Sequence, residues 1–235
     1  MRHKRIVATL DIGASADWND DHISNYTSVL VQEIDLINQA VATFWNTAQT
    51  SGGSAPVSTF YDHHAMVILN TGGVTGQISS MRLMRGGAVG NVTYIDDAPI
   101  FTMAVGLTAF HTAGLVAEFG LIDSATAAAF TANQDGAYFR ISDNVLYGVT
   151  GTGAAETAVD ITPVGGIDVW AAYRVELTSS YAKFYINDMK TPVLTQTLTL
   201  PNSDLTPKFS IQSQNNVDST MYVDGCGLTR NKYSG

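Results

Sequence analysis

Asp20, Asp21 and His22 stand side by side in the stretch ASADWNDDHISNY, residues 14–26. Two carboxylates and an imidazole in a row are the residue types of a metal site or an acid/base cluster. A second group is Asp62, His63 and His64 in FYDHHAMV. Asp62 and His64, two apart, would share one face of a strand and form half of a metal site. No further Cys/His cluster supplies the missing ligands, and polar residues at the start of a strand account for the same pattern. Asp96 and Asp97 are adjacent, which suits a turn, because neighbouring strand residues face opposite ways. His111, Glu156 and Glu176 are isolated. Neither a Gly-rich phosphate loop ending in Lys-Ser/Thr nor a Gly-x-Ser-x-Gly elbow is present. These patterns call for no metal and no cofactor.

The elements that would carry these residues decide between the readings. Ile23, Tyr26, Leu30, Ile34, Ile37, Val41 and Phe44 step by three or four residues, with no Gly or Pro between them. That spacing predicts an amphipathic helix over 19–46, roughly 40 Å long at about 1.5 Å per residue. Asn19 then serves as N-cap, and Asp20 and Asp21 complement the helix dipole in the first turn. Trp18 falls before the cap and packs on Ile23 as a hydrophobic staple. Only His22 is left without a structural task. The apolar stripe either lies on its own domain or pairs with copies of itself or a scaffold.

Residues 1–18 read as an arm and 47–56 as a Ser/Gly linker, TAQTSGGSAP. From 57 to 235 short runs such as VWAAYRVELTS, YAKFYIND and KFSIQSQ recur with turn signals between them. Alternation in Tyr173–Leu177 and Ala182–Ile186 predicts strands with one buried and one wet face. About a dozen strands without intervening helices point to a β-sandwich.

Composition limits the partners. Hydrophobic residues make up 45% of the 235, but charged residues only 14%, against roughly 25% in an average soluble domain. The net charge of −9 disfavours nucleic acid, whose phosphates need clustered cations. The one basic cluster is Arg2, His3, Lys4 and Arg5. Cys226 is the only cysteine, so no intrachain disulfide forms. No apolar run reaches 18 residues, so no membrane-spanning helix is expected. The apolar stretch behind the basic start is too short for a signal peptide.

AEFGLID, GAYFRISDNVLYGVT, VWAAYRVELTSSYAKFYIND, LTPKFSI and MYVDGCGL, taken in order, resemble the strands of a concanavalin A-like jelly roll. They are similar to the versions found in bacteriophage virion proteins. The DWN start followed by His and a polar helix resembles the N-terminal segment of phage fibre and appendage proteins. The resemblance implies a mainly β fold, a concanavalin A-like jelly-roll sandwich preceded by an arm and one long helix. Hydrolases of this fold carry a Glu-x-Asp-x-x-Glu strand whose two Glu side chains act as nucleophile and acid/base. No such set is present, since Glu118 is followed by Phe119, Gly120, Leu121, Ile122 and Asp123. Lectin-like sites in such folds use loop residues, for which Thr131–Gly136, Ser213–Ser219 and Asn187–Lys190 are candidates, though all three read equally as turns.

The expectation is therefore a non-enzymatic virion protein, assembled in the host cytoplasm and displayed as capsid decoration, head fibre or spike. Trp18, Ile23, Tyr26, Leu30, Ile34, Ile37, Val41 and Phe44 would form its attachment and oligomer interface. Its partners would be capsid or tail proteins and its own copies, with a trimer as the first expectation, and neither nucleic acid nor membrane. The alternative is a lectin-like carbohydrate- or receptor-binding module facing a host glycan, and a glycoside hydrolase is the third reading.

Overall fold

The alternation in Trp170–Leu177 has its counterpart in space: Tyr173, Val175 and Leu177 are buried, while Arg174 and Glu176 are half-exposed. The computed structural model describes residues 27–34, 45–49, 54–61, 64–83, 93, 95–107, 114–123, 134–167, 169–216 and 218–232. Among these the chain forms fifteen strands and a short 3-10 turn, Ile95–Asp97. The strands are β1 (Thr27–Ile34), β2 (Trp45–Gln49), β3 (Ser54–Tyr61), β4 (His64–Asn70), β5 (Ile78–Leu83), β6 (Pro99–Leu107), β7 (Leu115–Ile122) and β8 (Asp135–Ser142). They continue with β9 (Val145–Thr152), β10 (Glu156–Asp160), β11 (Trp170–Leu177), β12 (Ala182–Ile186), β13 (Leu194–Gln196), β14 (Thr206–Ser213) and β15 (Thr220–Lys232).

Two antiparallel sheets result. Sheet A has the order β13-β12-β11-β6-β15-β4-β3, with β1 also on β15; sheet B runs β10-β9-β8-β7-β14-β5-β2. One core lies between them. Phe119 and Phe139 of sheet B stack at 5.5 Å, and each meets Tyr173 of sheet A, at 4.8 and 4.9 Å. Phe184 stands edge-on to Phe139 at 5.3 Å. Each such ring, fully withdrawn from water, contributes about 2–3 kcal/mol. The mainly β, jelly-roll-like sandwich expected from the sequence is what the chain forms.

The long helix over 19–46 is not. Thr27–Ile34 is strand β1, antiparallel to β15 with Leu30 opposite Thr229 and Ile34 opposite Cys226. Trp45–Gln49 is strand β2 on the edge of β5, and Trp45 is buried in the core. The physical reason lies in β15. It is longer than β4, which pairs only with Thr220–Val223, so the rest of that edge would carry unpaired backbone groups without β1. Thr27, Val29, Val31 and Ile34 are β-branched and suit the pairing. The expected linker at 47–56 has its two ends in β2 and β3.

Candidate functional site

Strand β7 is buried along its whole length, on both faces. Leu115, Ala117, Phe119 and Leu121 enter the core between the sheets, so Glu118 and Ile122 occupy the outer face of sheet B. The antiparallel register sets Glu118 beside Arg140 on β8 and Ser210 on β14, and Ser210 beside Ser80 on β5. Lys208 lies opposite Gly120 and Arg82. Glu118, Arg82, Lys208, Ser80 and Ser210 are all buried. Charged side chains at such positions are rare unless paired.

The pairing is dense. Arg140 Nε donates to Glu118 Oε1 at 2.7 Å, and its two terminal nitrogens donate to Glu156 at 2.6 and 2.9 Å, a bidentate pair. Arg140 Nη2 also donates to the Tyr138 hydroxyl at 2.9 Å, which in turn donates to Glu156 Oε2 at 2.9 Å. Gln134 Nε2 donates to Glu118 Oε2 at 2.5 Å, and its Oε1 accepts from Lys208 Nζ at 3.0 Å. One guanidinium thus joins two carboxylates, with the inner carboxylate held on its far side by an amide.

Exposure divides this network. Glu118 is 2% exposed at its side chain, whereas Arg140 and Glu156 are 19% and 16% exposed. The solvent-facing front is therefore Arg140 and Glu156, with Glu118, Gln134 and Lys208 behind. Burial pushes the Glu118 carboxyl up against the opposing pull of Arg140, Lys208 and Gln134. Burial likewise pulls the Lys208 ammonium down to about 8, with Glu118 resisting and Arg82 adding to the depression. Burial also works to lower Arg140, but Glu156 and Glu118 outweigh it and the guanidinium is held charged. Ser210 Oγ is buried and makes no hydrogen bond among the described residues. Beside the charges, Ile122, Tyr138, Val149 and the partly buried Tyr147 form a small apolar cluster on the same outer face.

Gly120 explains a missing group. Its φ is +153°, and a Cβ there would lie 2.6 Å from Cα of Tyr138 and 2.8 Å from the Ala137 carbonyl oxygen. The close approach of β8 leaves no room for a side chain. Counted from Glu118, Gly120 and Asp123 fall at the third and sixth places of the Glu-x-Asp-x-x-Glu spacing, and an acid at the third place would clash with β8. Asp123 stands just beyond β7, where its Oδ2 accepts from Ser203 Oγ at 3.0 Å.

Of the residues singled out from sequence, Glu118, Glu156 and Gln134 of the Thr131–Gly136 stretch stand in this network, and the others are elsewhere. Trp18, Ile23, Tyr26, Ile37, Val41 and Phe44 lie outside the described residues, as do Asp20–His22, Asp62, His63 and His111. Leu30 and Ile34 belong to β1. Asp96 and Asp97 form the 3-10 turn. Asn187–Lys190 is a turn in which Asp188 Oδ1 accepts from the Lys190 N–H at 2.8 Å, and Asn216 Oδ1 accepts from the Thr75 N–H at 2.9 Å. Among the described residues no three His, Cys, Asp or Glu side chains converge as metal ligands. Arg140 and Lys208 were missed; the available signal was a charged residue at a core-like position of a β-run, in GAYFRI and PKFSI.

A two-sheet jelly roll with a charged outer face on one sheet is the class this geometry defines. No protein-family profile matches the chain. No curated protein sequence matches it either. Solved structures do. A pseudo β-1,3-glucanase and immunostimulatory antigen of Mycobacterium tuberculosis is 12% identical with a TM-score of 0.58, covering 87% of this chain and 99% of that one. A GH16 protein of Bacteroides ovatus associated with mixed-linkage glucan, in complex with a product, is 9% identical with a TM-score of 0.59, covering 85% and 100%. A β-1,3-glucanase from Mycobacterium marinum is 10% identical with a TM-score of 0.54, covering 85% and 98%. At such identities the likeness establishes the fold.

These matches overturn the expectations of a virion protein, of a virion location and of a protein without enzymatic activity. The neighbours are bacterial glucanase-type jelly rolls, not phage decoration proteins. A jelly-roll fold hosts unrelated functions, so the run of strands did not by itself favour a virion protein.

Proposed function

We propose that the chain is carbohydrate-active and engages a polysaccharide of the β-glucan class at the outer face of sheet B. The observation that carries this reading is the buried network of Glu118, Arg140, Gln134, Lys208 and Glu156. Taking ions out of water costs several kcal/mol each, and apolar residues of similar volume would serve stability as well or better. A face built for packing alone has no use for them. Glu156 at the front offers a carboxylate to sugar hydroxyls, and Arg140, itself held by Glu118 and Tyr138, fixes that carboxylate in place. Tyr147 supplies an apolar surface for the sugar's C–H face. The glucan-directed names of the structural neighbours support the same class of ligand.

Hydrolysis is the second reading, and two observations favour it. Glu118 takes the first position of the hydrolase pattern with Asp123 at the last, and burial raises its carboxyl toward the range of a general acid. Catalysis at Glu118 would require Arg140 to release it.

Titration of the full chain with soluble β-1,3-glucan and mixed-linkage β-glucan tests both readings. Saturable binding that weakens in Glu156→Gln supports the proposal, and release of reducing ends that vanishes in Glu118→Gln adds hydrolysis. Absence of binding to every β-glucan overturns the proposal.

A further inference from the structure

Trp170 opens β11 on the outer face of sheet A, the side of the sandwich away from Glu118. It is 42% exposed, and among the residues whose burial is described no other aromatic side chain is as open. Its register partner on β6 is Gly106. A Cβ at Gly106 would stand 2.7–2.8 Å from Cδ2, Cε2 and Cε3 of the indole at once. Near-equal distances to three ring atoms place the ring face-on to the backbone, so Trp170 rests flat on a strand with no side chain beneath it. Tyr222 of β15 pairs with the same Gly106 from the other side. The two rings meet over that glycine with centroids 5.7 Å apart and planes 33° from parallel.

The surface stays low beyond the rings. Ala104 of β6 lies between Ala172 and Gly225, and Thr102 lies between Arg174 and Gly227. A Cβ added at Gly225 or Gly227 would meet nothing within 4 Å. Polar groups border this shelf. Arg174 and Glu176 form an ion pair there, and Tyr185 donates to Glu176 Oε2 at 2.8 Å. Asp224 is exposed at the bulge in β15.

We propose that this shelf is a second glycan site, in which successive pyranose rings lay their C–H faces on Trp170 and Tyr222 and extend over the Ala104–Gly225 floor. It rests on the reading of the chain as carbohydrate-active. Stacking on a flat, rigid ring suits a pyranose, and Arg174 and Asp224 give its hydroxyls a donor and an acceptor. A protein partner fits less well. Of the exposed large apolar side chains only Val169 adjoins Trp170 in the chain, whereas a stable interface needs about 800 Å² per partner.

The test is co-sedimentation of the full chain with insoluble β-1,3-glucan particles, beside Trp170→Ala, Gly106→Ala and Glu156→Gln. Trp170→Ala is expected to bind about tenfold more weakly at an unchanged thermal midpoint, as for the loss of one stacked ring. Gly106→Ala keeps both rings but lifts the indole, and is expected to weaken binding about threefold, between wild type and Trp170→Ala. Binding by both variants at wild-type strength, with loss confined to Glu156→Gln, overturns the shelf and leaves the site on sheet B standing. Loss in Trp170→Ala with none in Glu156→Gln supports the shelf and removes the sheet B site. No binding by the wild type removes both. A dimer by light scattering that Trp170→Ala converts to a monomer overturns the shelf in favour of self-association.

Discussion

The outer faces of the two sheets solve opposite problems. On sheet A, β11 alternates buried and half-exposed positions, and its ion pair Arg174–Glu176 has side chains 24% and 17% exposed. On sheet B, β7 has no wet face, and the pair Arg140–Glu118 is 19% and 2% exposed. Sheet A leaves both partners of its ion pair partly in water, which weakens the pair and lowers its cost. Sheet B withdraws one partner from water almost completely and surrounds it with Gln134 and Lys208. The difference separates a face whose ion pair keeps both partners partly hydrated from one whose buried polar groups need a reason beyond stability.

Matched substitutions on the two faces sharpen or break this contrast. The largest effect is expected for Arg140→Met, which strands Glu118 without its guanidinium and should cost about 3–5 kcal/mol in denaturant unfolding. Arg174→Met on sheet A should cost at most about 1 kcal/mol. Equal losses would mean that the two ion pairs are equivalent.

Gly120→Ala should destabilise by about 2–3 kcal/mol, because its Cβ meets the backbone of β8. Gly227→Ala, over open space on sheet A, should stay within about 0.5 kcal/mol. Thermal midpoints of the pair give the comparison.

Lys208 adds a pH dependence. Its ammonium is lowered from 10.5 to about 8 in the folded protein. A lowered lysine is a penalty that is complete below the folded value and is relieved as pH rises from there toward the unfolded value. Between pH 8 and 9.5 the wild type should gain about 1.5 kcal/mol from this group. Lys208→Met should lose that gain, and an unchanged slope would show that Lys208 is not the titrating group. The smallest effect is expected for Ser210→Ala, within about 0.5 kcal/mol of wild-type stability, since its hydroxyl makes no hydrogen bond among the described residues.

Much of sheet A was legible in the sequence, because alternation from Tyr173 to Leu177 and from Ala182 to Ile186 reports one wet and one dry face. Sheet B was harder. Its strands carry charges where alternation predicts either core or solvent, and nothing near Glu118 in the chain marked its partners. Its partners Arg140, Gln134 and Lys208 are distant in the chain and meet it only through antiparallel register. The three- and four-residue spacing through Leu30 and Ile34 suggested a helix because periodicity is blind to an unpaired edge on β15. The hydrolase reading was ranked third because the full set of acids does not follow Glu118, and only the backbone of β8 shows that position 120 has no room for a side chain.

The central claim, that the outer face of sheet B receives a β-glucan, is tested most directly by the Arg140 Nε–H resonance. That proton lies on the 2.7 Å hydrogen bond to Glu118. On titration with a soluble β-1,3-glucan oligosaccharide it should shift saturably, at the concentration that saturates binding measured calorimetrically. A resonance that stays fixed while the oligosaccharide binds, or an oligosaccharide that does not bind at all, would contradict the account.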